Sequence, residues 1–182
     1  MRRVCVYCGS SDAVDERYKA AARALGAAIA ARGLELVYGG GRVGLMGAVA
    51  DAVLAGGGRV WGVIPRRIMD LEVGHTGVTE LFIVDGMHAR KNLMAQLADA
   101  FIALPGGWGT MEELFEMASW QLLGYHDKPV ALLDVDGYYA PLVQWITHAA
   151  DQRFIRPAHR DIVRSYTDIP ALLDGLAAAR GG

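Results

Sequence analysis

Short runs of β-branched and other apolar residues alternate along this chain with longer stretches whose apolar positions recur at helical spacing. Glycine or proline stands at nearly every junction. That alternation predicts an α/β fold: a Rossmann-like, doubly wound parallel sheet with crossover helices on both faces. A first strand is predicted near 2–8 and a helix near 15–32, ending at Gly33. A second strand, Leu34 to Tyr38, runs into Gly39-Gly40-Gly41; a helix from Leu45 to Leu54 and a third strand from Val60 to Ile64, closed by Pro65, follow. Arg66 to Glu80 shows no clear period and reads as a loop over the site. Leu81 to Val84 is a short strand or extended turn, Met87 to Leu97 a helix, and Ala100 to Leu104 a fourth core strand that stops at Pro105. The helix after it reaches about Leu123 with Met111, Leu114, Phe115, Ala118 and Leu122 on one apolar stripe. Lys128 to Leu133 is the fifth strand, and helices near 138–150 and 169–179 flank a short apolar piece, Ile162-Val163. No repeat or linker interrupts the pattern, so residues 1–182 are expected to form one domain.

Composition narrows the partners. Of 182 residues 53% are hydrophobic, enough for one core, while a charged fraction of 21% and a formal net charge of -2 lack the basic excess of nucleic-acid or membrane binders. A small-molecule ligand fits better. The apolar run after Met1-Arg2-Arg3 ends at Cys8-Gly9-Ser10, too short for a signal-peptide core, and the expected compartment is the cytoplasm. Cys5 and Cys8 have a redox-like spacing, but on a strand they point to opposite faces roughly 10 Å apart along it. A disulfide needs Cα atoms within about 7 Å, so they read as packed thiols.

In doubly wound sheets ligands sit beyond the carboxyl ends of the strands. Two glycine-rich loops fall at that edge, where close backbone approach and helix amino termini suit a phosphorylated ligand. The first, Gly39-Gly40-Gly41-Arg42-Val43-Gly44, matches G-x-G-x-x-G, which makes Gly40, Gly41 and Gly44 candidates for an additional phosphate loop. It lies on the second strand, and the third strand ends in Pro65-Arg66 without an acidic ribose ligand. Arg66 and Arg67 leave an NADP-binding oxidoreductase as an alternative, and a close-packed turn needs the same glycines. The second loop, Pro105-Gly106-Gly107-Trp108-Gly109-Thr110-Met111-Glu112-Glu113, has no Walker lysine. Thr110 and Glu113 also match a T-x-x-E capping box; this reading gives Thr110 that structural role and favours a catalytic one for Glu113, with Glu112 a solvent or dipole partner.

The segment Pro105 to Glu113 resembles the P-G-G-x-G-T-x-x-E signature of the Lonely Guy (LOG) family, and Met87-His88-Ala89-Arg90-Lys91 is similar to its M-H-x-R-K segment. Gly39-Gly40-Gly41 with Gly44-Leu45-Met46-Gly47 resembles its amino-terminal glycine loop, so the likeness runs roughly from Val4 to Pro129. The resemblance implies a Rossmann-like homodimer that hydrolyses cytokinin riboside 5'-monophosphates, and often AMP, to free base and ribose 5-phosphate. It further implies Arg90 and Glu113 as the catalytic pair, phosphate contacts at Gly107, Gly109 and Thr110, and substrate contacts at Lys91, Glu72 and Ser119. Trp108, Met111 and Glu112 complete the expected substrate-binding set. Family members are often labelled lysine decarboxylases; nothing around Lys19, Lys91 or Lys128, the only lysines, suggests a pyridoxal site.

The residue types suit the reaction. Loss of the base builds positive charge on the ribose, which a carboxylate near C1' stabilises while it orients water, and Glu113 is that candidate. Arg90 can hold phosphate or ribose oxygens and keep the carboxylate ionised; without the motif it would read as a surface cation on an amphipathic helix. The five histidines lack metal-ligand spacing, so neither metal nor organic cofactor is expected, and His88 reads as structural or surface. Trp108 reads as a cover on the pocket rim. Helices bearing Met87, Leu93, Met94, Leu97, Phe115, Trp120 and Leu122 carry more apolar surface than one sheet face covers, which predicts a homodimer. A nucleotide- or molybdenum-cofactor-binding carrier without hydrolase activity is the other alternative.

Overall fold

The structure, a computed structural model, describes residues 1–69, 71 and 73–181, the last two by backbone alone. Strand β1 (Arg3–Tyr7) leads to helix α1 (Glu16–Ala31), β2 (Glu35–Tyr38), α2 (Gly44–Ala55), β3 (Val60–Pro65) and β4 (Glu80–Val84). Helix α3 (Met87–Leu97) then returns the chain to β5 (Ala100–Ala103), followed by α4 (Trp108–Leu122), β6 (Val130–Leu133), α5 (Ala140–Asp151), β7 (Val163–Tyr166) and α6 (Ile169–Gly181). Among the described residues these strands form one seven-stranded sheet, ordered β4-β3-β2-β1-β5-β6-β7, and every pairing is parallel. This is the doubly wound architecture that the alternating pattern predicts.

Strand periodicity divides the core. Val4 and Val6 of β1, Leu36 of β2 and Ile102 of β5 face α1, α2 and α6, whereas Cys5, Tyr7, Val37 and Phe101 face the α3 and α4 side. Cys5 and Cys8 accordingly fall in different layers and remain thiols. On α3, Met94 is buried and Leu93 and Leu97 are partly buried in the chain's own core, as is Trp120 of α4. The apolar surplus expected of those helices is therefore smaller than their sequence suggests. Met87 of α3 (44%) stays exposed, as does a patch on α4, α5 and the segment after it: Phe115 (38%), Leu122 (47%), Leu123 (68%), Trp145 (53%) and Phe154 (87%).

Two local readings change. The apolar pair Ile162-Val163 introduces a true edge strand, β7, whose alternation is hidden because Arg164 and Ser165 are exposed. The aperiodic segment after β3 begins with a 3-10 turn at Arg66–Ile68 and is fastened onto the glycine loop after β2. The His75 N–H donates to the Gly40 carbonyl (2.8 Å), Arg42 N–H to the Val73 carbonyl (3.0 Å), and the buried His75 ring pairs through Nε2 with Asp51 Oδ1 (2.9 Å).

Strands β1 to β4 are laid down outward on one side, and α3 then carries the chain back across β1 to start β5. The connections leaving β1 and β5 diverge to opposite faces, which opens a crevice at their carboxyl ends.

Candidate functional site

A cavity of about 380 Å³ occupies that crevice, within the size range of small-ligand pockets. Its walls come from the connection after β1 (Cys8, Gly9, Ser10), the turn after β5 (Gly107 to Thr110), Glu112 and Glu113 of α4, Met87, Arg90 and Met94 of α3, and Ile68.

The turn is shaped to present donors. Helix α4 starts at Trp108 with Gly107 as its cap, and no side chain caps it. The spacing that predicted a capping box at Thr110 is overturned: Thr110 lies inside the first turn, buried to 3% exposure, and Glu113 sits one turn on. The cap is a glycine (φ -96°, ψ -144°), so the first-turn N–H groups receive no side-chain oxygen from it and are directed outward from the helix end. A Cβ added at Gly107 or Gly109 would meet no protein atom within 4 Å. Those glycines keep space open.

Arg90 approaches from the other side. Although charged, it is only 4% exposed, because Nε donates to the Val63 carbonyl (3.1 Å) and Nη2 to the Gly39 carbonyl (2.7 Å), with Met87 Sδ 3.8 Å from Nη1. The guanidinium is thus fixed across the ends of β2 and β3. Gly39 is what admits it, since a Cβ there would lie 2.1 Å from Nη2. Glu113, half-buried, lines the same cavity as Arg90. Burial and then the negative charge of Glu113 push the Cys5 thiol well above its usual range, with the Arg90 charge acting in the opposite direction. Burial, then Cys5, then Glu113 raise the Tyr7 phenol in the same way. Both stay neutral beneath the site.

The remaining candidates divide. Gly107, Trp108, Gly109, Thr110 and Glu112 join Arg90 and Glu113 at the cavity, with Trp108 94% exposed at its edge and covering no apolar surface of its own chain. Lys91 points across to α4 instead, pairing with Glu112 and, at 3.1 Å, with Glu116. Burial opposes its charge, but those carboxylates outweigh burial and raise its pKa. Lys91 touches the cavity through Glu112 alone among its described partners. Met111 packs into the core, Ser119 lines a separate groove with Phe115 and Trp145, and His88 is exposed. Gly40, Gly41 and Gly44 lie outside the cavity wall: Gly40 and Gly41 hold the segment after β3, and Gly44 (φ +60°) packs against the backbone of Ser10 and Ser11. Glu72 lies outside the described residues. Lys19 donates to the Asp12 carbonyl and Lys128 to the Ala95 carbonyl, so all three lysines are held by groups of the chain itself. The sequence reading missed Gly9 and Ser10; a Gly-Ser pair directly after the first strand of a parallel sheet was the available signal.

Fold and cavity together define a Rossmann-like α/β protein whose switch-point site sets an anion-ready helix terminus beside a buried arginine and a carboxylate. The chain belongs to the LOG family: the family model described as "Possible lysine decarboxylase" matches residues 46–176, and relatives that carry the LOG name match over most of the chain. The cytokinin riboside 5'-monophosphate phosphoribohydrolase LOG5 of Arabidopsis thaliana is 50% identical over 177 residues, 97% of this chain and 78% of that protein. The "Probable cytokinin riboside 5'-monophosphate phosphoribohydrolase LOGL2" of Oryza sativa subsp. japonica is 54% identical over 162 residues, 89% of this chain and 66% of its own length. In structure, the chain is similar to the molybdenum cofactor carrier protein of Chlamydomonas reinhardtii, with TM-score 0.74, 20% identity and coverage of 100% of this chain and 99% of that one. At that identity the likeness shows the fold alone. Among the described residues, no helix is long and apolar enough to cross a membrane.

Proposed function

We propose that this protein is a phosphoribohydrolase that cleaves the N-glycosidic bond of cytokinin riboside 5'-monophosphates and of AMP, releasing free base and ribose 5-phosphate. The observation that carries the reading is the meeting, in one cavity, of the uncapped α4 terminus with Arg90 and Glu113. Gly107, Gly109 and Thr110 receive the 5'-phosphate at the helix terminus. The ribose then extends toward α3, where Glu113 faces C1', stabilises the positive charge that grows as the base leaves, and orients the attacking water. Arg90, held by two backbone carbonyls, keeps a fixed cationic face toward ribose and phosphate oxygens. Lys91 acts through Glu112, and Trp108 stands where the departing base can lie against it. Identity of about one half to proteins named for this activity supports the same reading.

The working unit in this proposal is a homodimer. Support comes from the exposed apolar patch on α4 and α5, where Phe115 and Trp145 stack edge to face at 5.9 Å beside a groove of about 460 Å³. A stable monomer in light scattering at micromolar concentration would remove the dimer without touching the chemistry.

Chromatography of free bases after incubation with adenosine, AMP, ADP, ATP and cytokinin riboside monophosphates tests the activity. Release of base from monophosphates alone is the expected result. A protein that bound molybdenum cofactor tightly and released no base would be a carrier, and a fluorescence response to NADPH without base release would indicate an oxidoreductase.

A further inference from the structure

The connection between β6 and α5, Asp134 to Tyr139, contributes no described residue to the cavity wall, yet it delivers two adjacent tyrosines to the backbone of the turn that does. Tyr139 is buried and its hydroxyl donates to the Leu104 carbonyl (2.6 Å); Tyr138, 40% exposed, donates to the Gly106 carbonyl (2.6 Å). The next carbonyls are also engaged: Pro105 accepts from Gly9 N–H (3.0 Å) and Gly107 from Met111 N–H (3.1 Å). Each carbonyl from 104 to 107 thus has a donor supplied by the protein.

We infer that Tyr138 is a positioning residue whose hydroxyl locks the Gly106–Gly107 peptide so that this turn shows a donor, and not a carbonyl oxygen, to the ligand's phosphate. The inference rests on the reading that the turn receives that phosphate. A trans peptide is planar, with its C=O and N–H opposed. Holding the Gly106 carbonyl against Tyr138, outside the cavity, therefore directs the Gly107 N–H to the cavity side. The lock is needed because both residues are glycine, the pair for which a peptide flip meets least steric resistance. A flipped peptide would bring a carbonyl dipole toward the anion. The hydroxyl is itself held: the Tyr138 ring meets Tyr139 edge to face at 5.0 Å and Tyr18 at 5.7 Å, Arg17 lies over Tyr18 at 4.9 Å, and Arg17 reaches Asp136 at 3.5 Å. Tyr139 has no such part in presentation, since the peptide after Leu104 ends in Pro105 and carries no N–H.

Tyr138→Phe keeps every ring contact and removes the hydroxyl. The expected result is a rise of about tenfold in KM for AMP and in the calorimetric Kd of ribose 5-phosphate, with kcat within about twofold, adenosine affinity unchanged and Tm unchanged. Tyr139→Phe removes the same atom one residue on; it should lower Tm while leaving the preference of AMP over adenosine intact. Tyr138→Phe with unaltered affinity for ribose 5-phosphate overturns the inference, as do equal losses for AMP and adenosine. Wild-type protein that binds adenosine as tightly as AMP would instead overturn the phosphate reading on which it rests.

Discussion

At the amino ends of β1, β2 and β3, Glu35 is enclosed by Arg2, Arg3 and the indole of Trp61, while at the carboxyl ends of the same strands Arg90 is enclosed by backbone carbonyls and Glu113 lines a cavity. The Glu35 carboxylate accepts from Arg2 Nη2 (3.0 Å), Arg3 Nε (2.8 Å) and Trp61 Nε1 (2.8 Å), and the Arg3 and Arg59 guanidinium groups lie 4.6 and 4.8 Å from the Trp61 ring. Burial alone would raise the Glu35 pKa, but the bonds from Arg3, Trp61 and Arg2 outweigh it and lower it from 4.5 to about 2. That end is closed on itself: the Glu35 carboxylate is taken up by donors of the chain's own side chains. The other end has a helix terminus without a side-chain cap and glycines that open onto empty space. Closure makes one end a staple, and the open donors of the other are what its candidacy as a site rests on.

Substitutions at the two ends should therefore separate activity from stability. The largest effect is expected from Glu113→Gln, which removes charge and keeps shape: turnover of the monophosphate should fall about a hundredfold or more. Because α4 begins at Trp108, with no capping box at Thr110, the substitution costs the helix no cap. Near-native turnover would move the search for the carboxylate to Glu72 and then to Glu112. Arg90→Lys comes next, with a loss of at least about tenfold in kcat/KM and a lower Tm, since a single ammonium cannot serve both the Val63 and Gly39 carbonyls in the guanidinium's planar fork. Unchanged Tm would show that the two carbonyls are met otherwise. Gly109→Ala, where the new methyl touches no protein atom, should leave Tm alone and weaken monophosphate binding about tenfold, with nucleoside binding unaffected. Equal weakening of both would make the loop purely structural.

The smallest effect, and the opposite pattern, belongs to the amino end. Glu35→Gln should preserve turnover and lose of the order of 1 kcal/mol of stability at neutral pH, screened by water around the exposed Arg2 and Arg59. A carboxylate whose folded pKa is depressed stabilises the fold above its unfolded pKa and loses that contribution as pH falls through the folded value. The acid limb of wild-type stability should accordingly carry a Glu35 component between pH 4.5 and about 2, absent from the variant. Denaturant titrations across that window check it.

Much of this was legible in the residues. Periodicity and glycine punctuation located the buried strands, though not the edge strand β7, because buried parallel strands are short apolar runs and their crossover helices are long. Arg90 and Glu113 could be singled out because they stand in motifs with few other uses, and the fold brings both to one cavity. The start of α4 was misplaced because Thr110 and Glu113 have the spacing of a cap, and nothing local says that a bare glycine will open the helix instead. The partnership of Lys91 with Glu112 and Glu116 depends on how α3 and α4 lie side by side, which one strand of text does not contain. Gly40, Gly41 and Gly44 look like a phosphate loop because close backbone packing and anion binding select the same residue.

Arg90 can lie across the ends of β2 and β3 only because position 39 has no side chain, since even a methyl there would come within 2.1 Å of Nη2. Two positions far apart in the chain are thus a single heritable unit. A saturation scan of this protein should score Gly39, which has no functional group, as intolerant as the arginine itself. Replacements at 39 should also be epistatic with those at 90, harmful in the parent and far milder once the arginine has been shortened.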